Sequence, residues 1–103
     1  MPLFACWCLD VDGGAELRRP HNKAHLDHVE VHMDRYAVAG PLKAESGIVG
    51  SLLVIKADSR EDARDFLEQD PYAKAGIWRE VQIEPFLAAA GEWVGGAAWK
   101  TWS

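Results

Sequence analysis

This sequence predicts an α+β domain: one four-stranded antiparallel sheet with two helices on one of its faces. Three observations predict it. Strand and helix patterns alternate in the order β-α-β-β-α-β, the two middle strand patterns are separated by a short loop as in a hairpin, and the 103 residues suffice for one domain with a single core. That order is the ferredoxin-like, split βαβ arrangement.

The first strand is "PLFACWCLD", apolar and aromatic, ended by the turn sequence "DVDGG". A helix follows from about Pro20, whose missing N–H is harmless in a first helical turn, to near Tyr36. Leu26, Val29, Met33 and Tyr36 recur along it at helical spacing. "AVAGPL" reads as a short strand closed by Gly40-Pro41, and after "KAESG" the run "IVGSLLVIKA" reads as a longer one, the two forming a hairpin. In "DSREDARDFLEQ" a helix starts at Asp58 or Ser59, sets Ala63, Phe66 and Leu67 on one side, and stops at "DPY" because a residue before proline avoids the helical region. "IWREVQIEPF" alternates Ile77, Arg79, Val81 and Ile83 with Trp78, Glu80, Gln82 and Glu84, giving the last strand.

The domain therefore spans residues 1–86, and residues 87–103 form a Trp-rich extension holding Trp93, Trp99 and Trp102 around Gly95-Gly96. Exposing so much aromatic surface is costly, so the extension is expected to dock on its own domain or on a partner subunit. On the first strand Leu3, Ala5, Trp7 and Leu9 point to one side while Phe4, Cys6 and Cys8 point to the other. Both faces are apolar, as they are along Leu52 to Ile55, yet two helices cover only one. The open face is expected to pack on a second copy, giving a homodimer or a higher homo-oligomer.

A net charge of −5, with the eleven Lys and Arg scattered, gives no footprint for nucleic acid or an anionic membrane surface. No segment has the length and apolarity of a membrane span, and the N-terminus lacks a signal-peptide pattern, so a cytoplasmic protein is expected. Cys6 and Cys8 lie two apart on a strand, too far for an easy disulfide and without a second pair to complete a metal site. They read as small buried core residues in a reducing compartment.

All four histidines fall in "HNKAHLDHVEVH", residues 21–32. At about 100° per residue, with His21 at zero, His25 falls near 40°, His28 near −20° and His32 near 20°. They form one narrow stripe beside the apolar set, and His25 leans furthest toward it. The pairs His21/His25 and His28/His32 have i, i+4 spacing that can chelate a metal, but a third ligand is needed, no H-E-x-x-H occurs, and about 16 Å of helix rise separates the outer members. The reading adopted is therefore a helix flank without a metal, with His25 as the candidate acid or base if a carboxylate orients its ring.

The chain resembles YciI-like (YCII-related) proteins of the dimeric α/β-barrel superfamily over most of residues 3–86. The residues that carry the resemblance are "AHL" (24–26), "AGP" (39–41), "GIVGS" (47–51) and, most specifically, "EQDPYAKAGIWREVQIEPF" (68–86). It implies a ferredoxin-like protomer, a dimer with facing sheets, and a site built on the pair His25 and Asp70, with Ser51 as a nearby hydroxyl and Gly40-Pro41 shaping the wall as substrate-binding positions. Where the family pattern commonly has an arginine three residues before the histidine, this chain has Asn22, with Arg18 and Arg19 earlier. No cofactor is implied.

Asp70 stands where a helix must stop before Pro71, which fixes its backbone, and a carboxylate on one imidazole nitrogen leaves the other free for a substrate proton. Ser51 follows Gly50 but not within a G-x-S-x-G elbow, so acyl-enzyme chemistry is not expected. The function read from the sequence is a small cofactor-independent enzyme performing proton transfer, elimination, isomerisation or hydrolysis on a small organic compound. Relatives of this architecture act on small aromatic and lactone compounds. The alternatives are a non-catalytic dimeric module that binds a small ligand and, more weakly, a metal-binding protein.

Overall fold

The computed structural model describes residues 1–101. Seven principal elements follow in order: β1 (Leu3–Asp10), α1 (Gly14–Val31), β2 (Tyr36–Ala44), β3 (Gly47–Lys56), α2 (Arg60–Glu68), the single turn α3 (Pro71–Lys74) and β4 (Trp78–Phe86). The four strands form one antiparallel sheet in the order β2-β3-β1-β4, the ferredoxin-like topology.

The core lies between α2 and the sheet. Phe4, Cys6 and Cys8 of β1, Leu53 and Ile55 of β3 and Ile83 of β4 meet Ala63, Phe66 and Leu67 of α2, all buried. Helix α2 starts at Ser59, whose hydroxyl accepts from the Asp62 N–H at 3.0 Å. The two cysteines are free, and burial pushes the Cys6 thiol up to about 11, with Arg64 only partly opposing it. The Cys8 thiol is raised further, by burial and then by Cys6, Asp70 and Asp10.

The first helix starts at Gly14, six residues earlier than its sequence pattern suggests, and ends at Val31. Gly13 takes a left-handed conformation (φ 76°) that makes the turn in one residue, so "DVDGG" is shorter than a loop reading allows. Pro20 then lies inside the helix. The hydrogen bond it cannot make belongs to the carbonyl of Glu16 on the exposed side, where water can serve instead.

The helix is also rotated from the orientation that its apolar spacing implies. Leu26 remains 54% exposed, and Met33, in the turn beyond the helix end, 57%. The inward face is Gly14, Arg18, His21, His25, His28, Val29 and His32, which fall between about −20° and 80° on the wheel. Polar partners beneath the helix hold this stripe inward, so the histidines occupy the face that the apolar residues would otherwise take.

Gly40-Pro41 does not close β2, which runs through it to Ala44. β2 is an edge strand, where a proline without an N–H is tolerated, and Pro41 pairs with Ser51. Beyond β4, the two-residue strands β5 (Ala90–Gly91) and β6 (Gly96–Ala97) pair, and β5 with the turn after it walls a second cavity of about 490 Å³ with Leu3, Val54 and Phe86 at the margin of the open face. Trp93 stays 84% exposed in the protomer because this small hairpin has no core of its own, and Trp102 lies outside the described residues. Among the described residues no helix is long and apolar enough to cross a membrane.

β3 approaches β1 most closely at Gly50, where an added Cβ would lie 2.4 Å from the Cys8 carbonyl oxygen. Replacing Gly50 by Ala must separate the strands, and a loss at the upper end of ~1–3 kcal/mol is expected. A urea denaturation midpoint unchanged by the substitution would contradict this.

Candidate active site

Helix α1 leaves the β2 edge of the sheet uncovered, and a cavity of about 670 Å³ opens there, within the ~300–1,000 Å³ usual for small-molecule sites. Ala39, Pro41, Ser51 and Leu53 form its floor. Arg18, Arg19, Asn22, His25 and Leu26 form the α1 wall, and Tyr72 closes the end. Ser51, Gly40 and Pro41, singled out from the sequence, all line it with His25.

Asp70, 1% exposed, lies beneath this wall. It caps α3, its Oδ1 accepting the Tyr72 backbone N–H at 2.8 Å, and the same oxygen meets His25 Nδ1 at 2.8 Å. A carboxylate accepts, so Nδ1 is the protonated nitrogen and Nε2 of the neutral ring keeps its lone pair. The Asp70 Oδ2 is buried and has no hydrogen-bond partner among the described residues. The Tyr72 ring stacks on the His25 ring at 3.9 Å and 10°, which holds the imidazole plane from its other side. His25, set apart by spacing, and Asp70, the partner that the family resemblance implies, thus meet in one hydrogen bond across 45 residues of chain.

Four further residues, not identified from the sequence as site residues, complete the surroundings. The Arg18 guanidinium is clamped by Asp10 through Nε at 2.7 Å and Nη2 at 2.9 Å, and Nη2 also donates to Ser51 Oγ at 3.0 Å. Burial alone would lower the Arg18 pKa, but the hydrogen bond and charge of Asp10 outweigh it and hold it above its ordinary value. The Tyr72 hydroxyl donates to Asn22 Oδ1 at 2.8 Å, and burial, partly opposed by Arg18, raises its pKa and keeps it a donor. Arg18 lies two helical turns before His25 on the same face, a spacing visible in the sequence. Its partners on β1 and β3 are not visible there.

The remaining histidines have other surroundings. His32 Nδ1–H donates to the His28 carbonyl at 2.9 Å, and both rings pack against Phe66. Burial lowers the His28 pKa, with Asp70 opposing in part. Among the described residues no group of three or more His, Cys, Asp or Glu side chains is arranged to hold a metal ion.

The model of the YCII-related domain matches residues 2–87. The chain belongs to the YCII-related family. Similar relatives are the proteins named YciI of Escherichia coli O6:H1 and of Shigella flexneri, each 29% identical over 93 residues that cover 82% of this chain and 95% of the relative. An uncharacterized protein of Haemophilus influenzae is 27% identical over 92 residues, 81% of this chain and 94% of that one. Among solved structures the chain is similar to the 5-chloro-2-hydroxyhydroquinone dehydrochlorinase of Burkholderia phenoliruptrix AC1100 in complex with 2,5-dihydroxybenzoquinone. The TM-score is 0.77 at 27% identity, over 87% of this chain and 96% of that chain. The YCII-related match runs from β1 through β4 and stops where the Trp-rich tail begins.

Asp70→Ala removes the α3 cap and leaves the buried Tyr72 N–H unpaired, for an expected loss of ~1–3 kcal/mol. Asp70→Ser keeps an oxygen for the cap and should regain most of that loss while leaving His25 without its carboxylate. Equal destabilisation of the two variants in chemical denaturation would show that the cap is not what the carboxylate contributes to stability.

Proposed function

We propose that this protein is a small enzyme in which His25 acts as general base and acid and Asp70 orients it, on a small hydroxylated ring compound held in the cavity over β2 and β3. The observation that carries the proposal is the 2.8 Å contact between His25 Nδ1 and a nearly fully buried carboxylate, with the ring at the wall of the cavity. Asp70 sets the tautomer and stabilises the imidazolium formed when Nε2 takes a proton. In an elimination, the electron pair of the broken O–H or C–H bond forms the new π bond, the proton goes to Nε2, and the leaving group departs with its own pair. His25 then returns the proton to solvent or to product.

Such a step asks only for a positioned base, and the similarity to a dehydrochlorinase that binds a dihydroxybenzoquinone supports both the reaction class and the ring-shaped ligand. The mostly apolar Ala39, Pro41, Leu53 and Leu26 suit the faces of a ring. Expected on this reading is chloride release from 5-chloro-2-hydroxyhydroquinone, or solvent-deuterium exchange into related hydroxylated aromatics, slowed ~10²–10⁴-fold by His25→Ala. Ligand binding without turnover across such a panel would favour the non-catalytic binding module instead.

The open face supports a homodimer. Trp7 stands 39% exposed at its centre, and beside it are the half-buried Leu9 on β1 and Leu52 on β3. A second copy laid on this face removes that apolar area from water. Light scattering at micromolar concentration should give twice the chain mass, and a monomer there would refute the assembly.

A further inference from the structure

We propose that Arg18 is a positioning residue. It turns the Ser51 hydroxyl into a hydrogen-bond donor aimed into the cavity, so that the cavity selects its ring ligand in the oxyanion form. This rests on the cavity being the ligand site of the function proposed above, and it adds the ionisation state of the ligand and the residue that reads it.

A guanidinium has donors and no acceptor, so in the 3.0 Å contact Arg18 donates and Ser51 Oγ accepts. The one proton of Ser51 must therefore point elsewhere. No acceptor among the described residues takes it, and Ser51, itself buried, lines the cavity. Arg18 also lines the cavity, but the two bonds to Asp10 fix its guanidinium in place, and the side chain it meets on the cavity floor is Ser51. Because the donor is charged, the contact also polarises the Ser51 O–H.

Asn22 is arranged in the same sense. Its Oδ1 already accepts the Tyr72 hydroxyl proton, which leaves the amide NH₂ as its remaining group. Arg19 stands at the rim with its side chain 77% exposed and only a 3.5 Å contact to Glu16. The cavity thus offers the Ser51 O–H, the Asn22 NH₂ and the Arg19 cation as donors, and the Nε2 of His25 as acceptor. A neutral hydroxyl seated on the three donors has only the Nε2 of His25 to take its proton, whereas an oxyanion seated there completes the donors and leaves Nε2 free. Asn22 contributes its donor without a charge, and the Arg18–Asp10 pair behind Ser51 supplies the polarisation.

The test compares 2,5-dihydroxy-1,4-benzoquinone, which ionises, with 2,5-dimethoxy-1,4-benzoquinone, which does not, by titration calorimetry on the full chain. The wild-type protein should bind the ionising compound more tightly. Ser51→Ala should weaken that binding about tenfold or more and leave the dimethoxy compound unaffected, since a hydrogen bond to a charged group contributes roughly that factor. Ser51→Thr, which keeps the hydroxyl, should restore it. Arg18→Gln combined with Asp10→Asn, which avoids stranding one buried charge, should match Ser51→Ala and add nothing in the Ser51→Ala background.

Additive losses would overturn the proposal, because Arg18 would then act on something other than Ser51. Failure of the wild-type protein to prefer the ionising compound, or full affinity in Ser51→Ala, would overturn it as well. The acid–base reading is judged separately by turnover of His25→Ala. Discrimination between the two quinones without turnover would sink that reading and leave this one standing.

Discussion

One oxygen atom, Oδ1 of Asp70, joins the parts of the cavity wall. It accepts from the backbone of Tyr72 and from the ring of His25, so it ties the short turn α3 to the long helix α1. Everything that orients the imidazole depends on this bond. The Asp70 backbone is fixed by Pro71, the Tyr72 ring is delivered by the same turn to stack on His25, and its hydroxyl reaches Asn22 one turn back along α1. A single carboxylate therefore caps α3 and orients the imidazole at once, and its burial keeps both bonds in a surrounding of low dielectric.

The second anchor of α1 is the Asp10–Arg18 pair, and two glycines make room for it. A Cβ at Gly14 would lie 2.6 Å from the Asp10 Cβ, and Gly50, the residue before Ser51, lets β3 close on β1. A buried pair of this kind adds little net stability beyond what apolar packing could give, but it is specific in direction. It fixes which face of α1 turns inward. That explains a helix whose inner stripe is arginine and histidine while Leu17 and Leu26 face outward.

The sheet was legible in the sequence because alternation and turn residues are local signals, and α2 because its cap and its three buried residues lie within one short segment. Helix α1 was legible in existence but not in start or rotation. Its start depends on one left-handed glycine in a stretch that also suits a loop, and its rotation depends on Asp10, Ser51 and Asp70, which come from three other elements. For the same reason His25 could be separated from the other histidines by spacing and a partner supplied by family pattern, while Arg18, Asp10, Asn22 and Tyr72 could not be gathered. Their relation exists only once β1, β3 and α3 surround the helix. The tail was expected to dock on its own domain or on a partner subunit; Ala90 to Val94 share a cavity with Leu3, Leu52 and Val54 of the sheet, and Trp93 is 84% exposed in the protomer.

Gly40 contrasts with Gly50. It lines the cavity by its backbone, its φ is not positive, and nothing lies within 4 Å of the Cβ it lacks. It pairs with Leu52, so a side chain there would stand on the open face of the sheet. Both native thiols are buried and held protonated. A cysteine introduced at position 40 would consequently be the one thiol open to a maleimide or nitroxide reagent in a lone protomer, and a second copy on the open face would shield it. A spectroscopic label could thus be set at the boundary between cavity and open face without first removing Cys6 or Cys8 from the core.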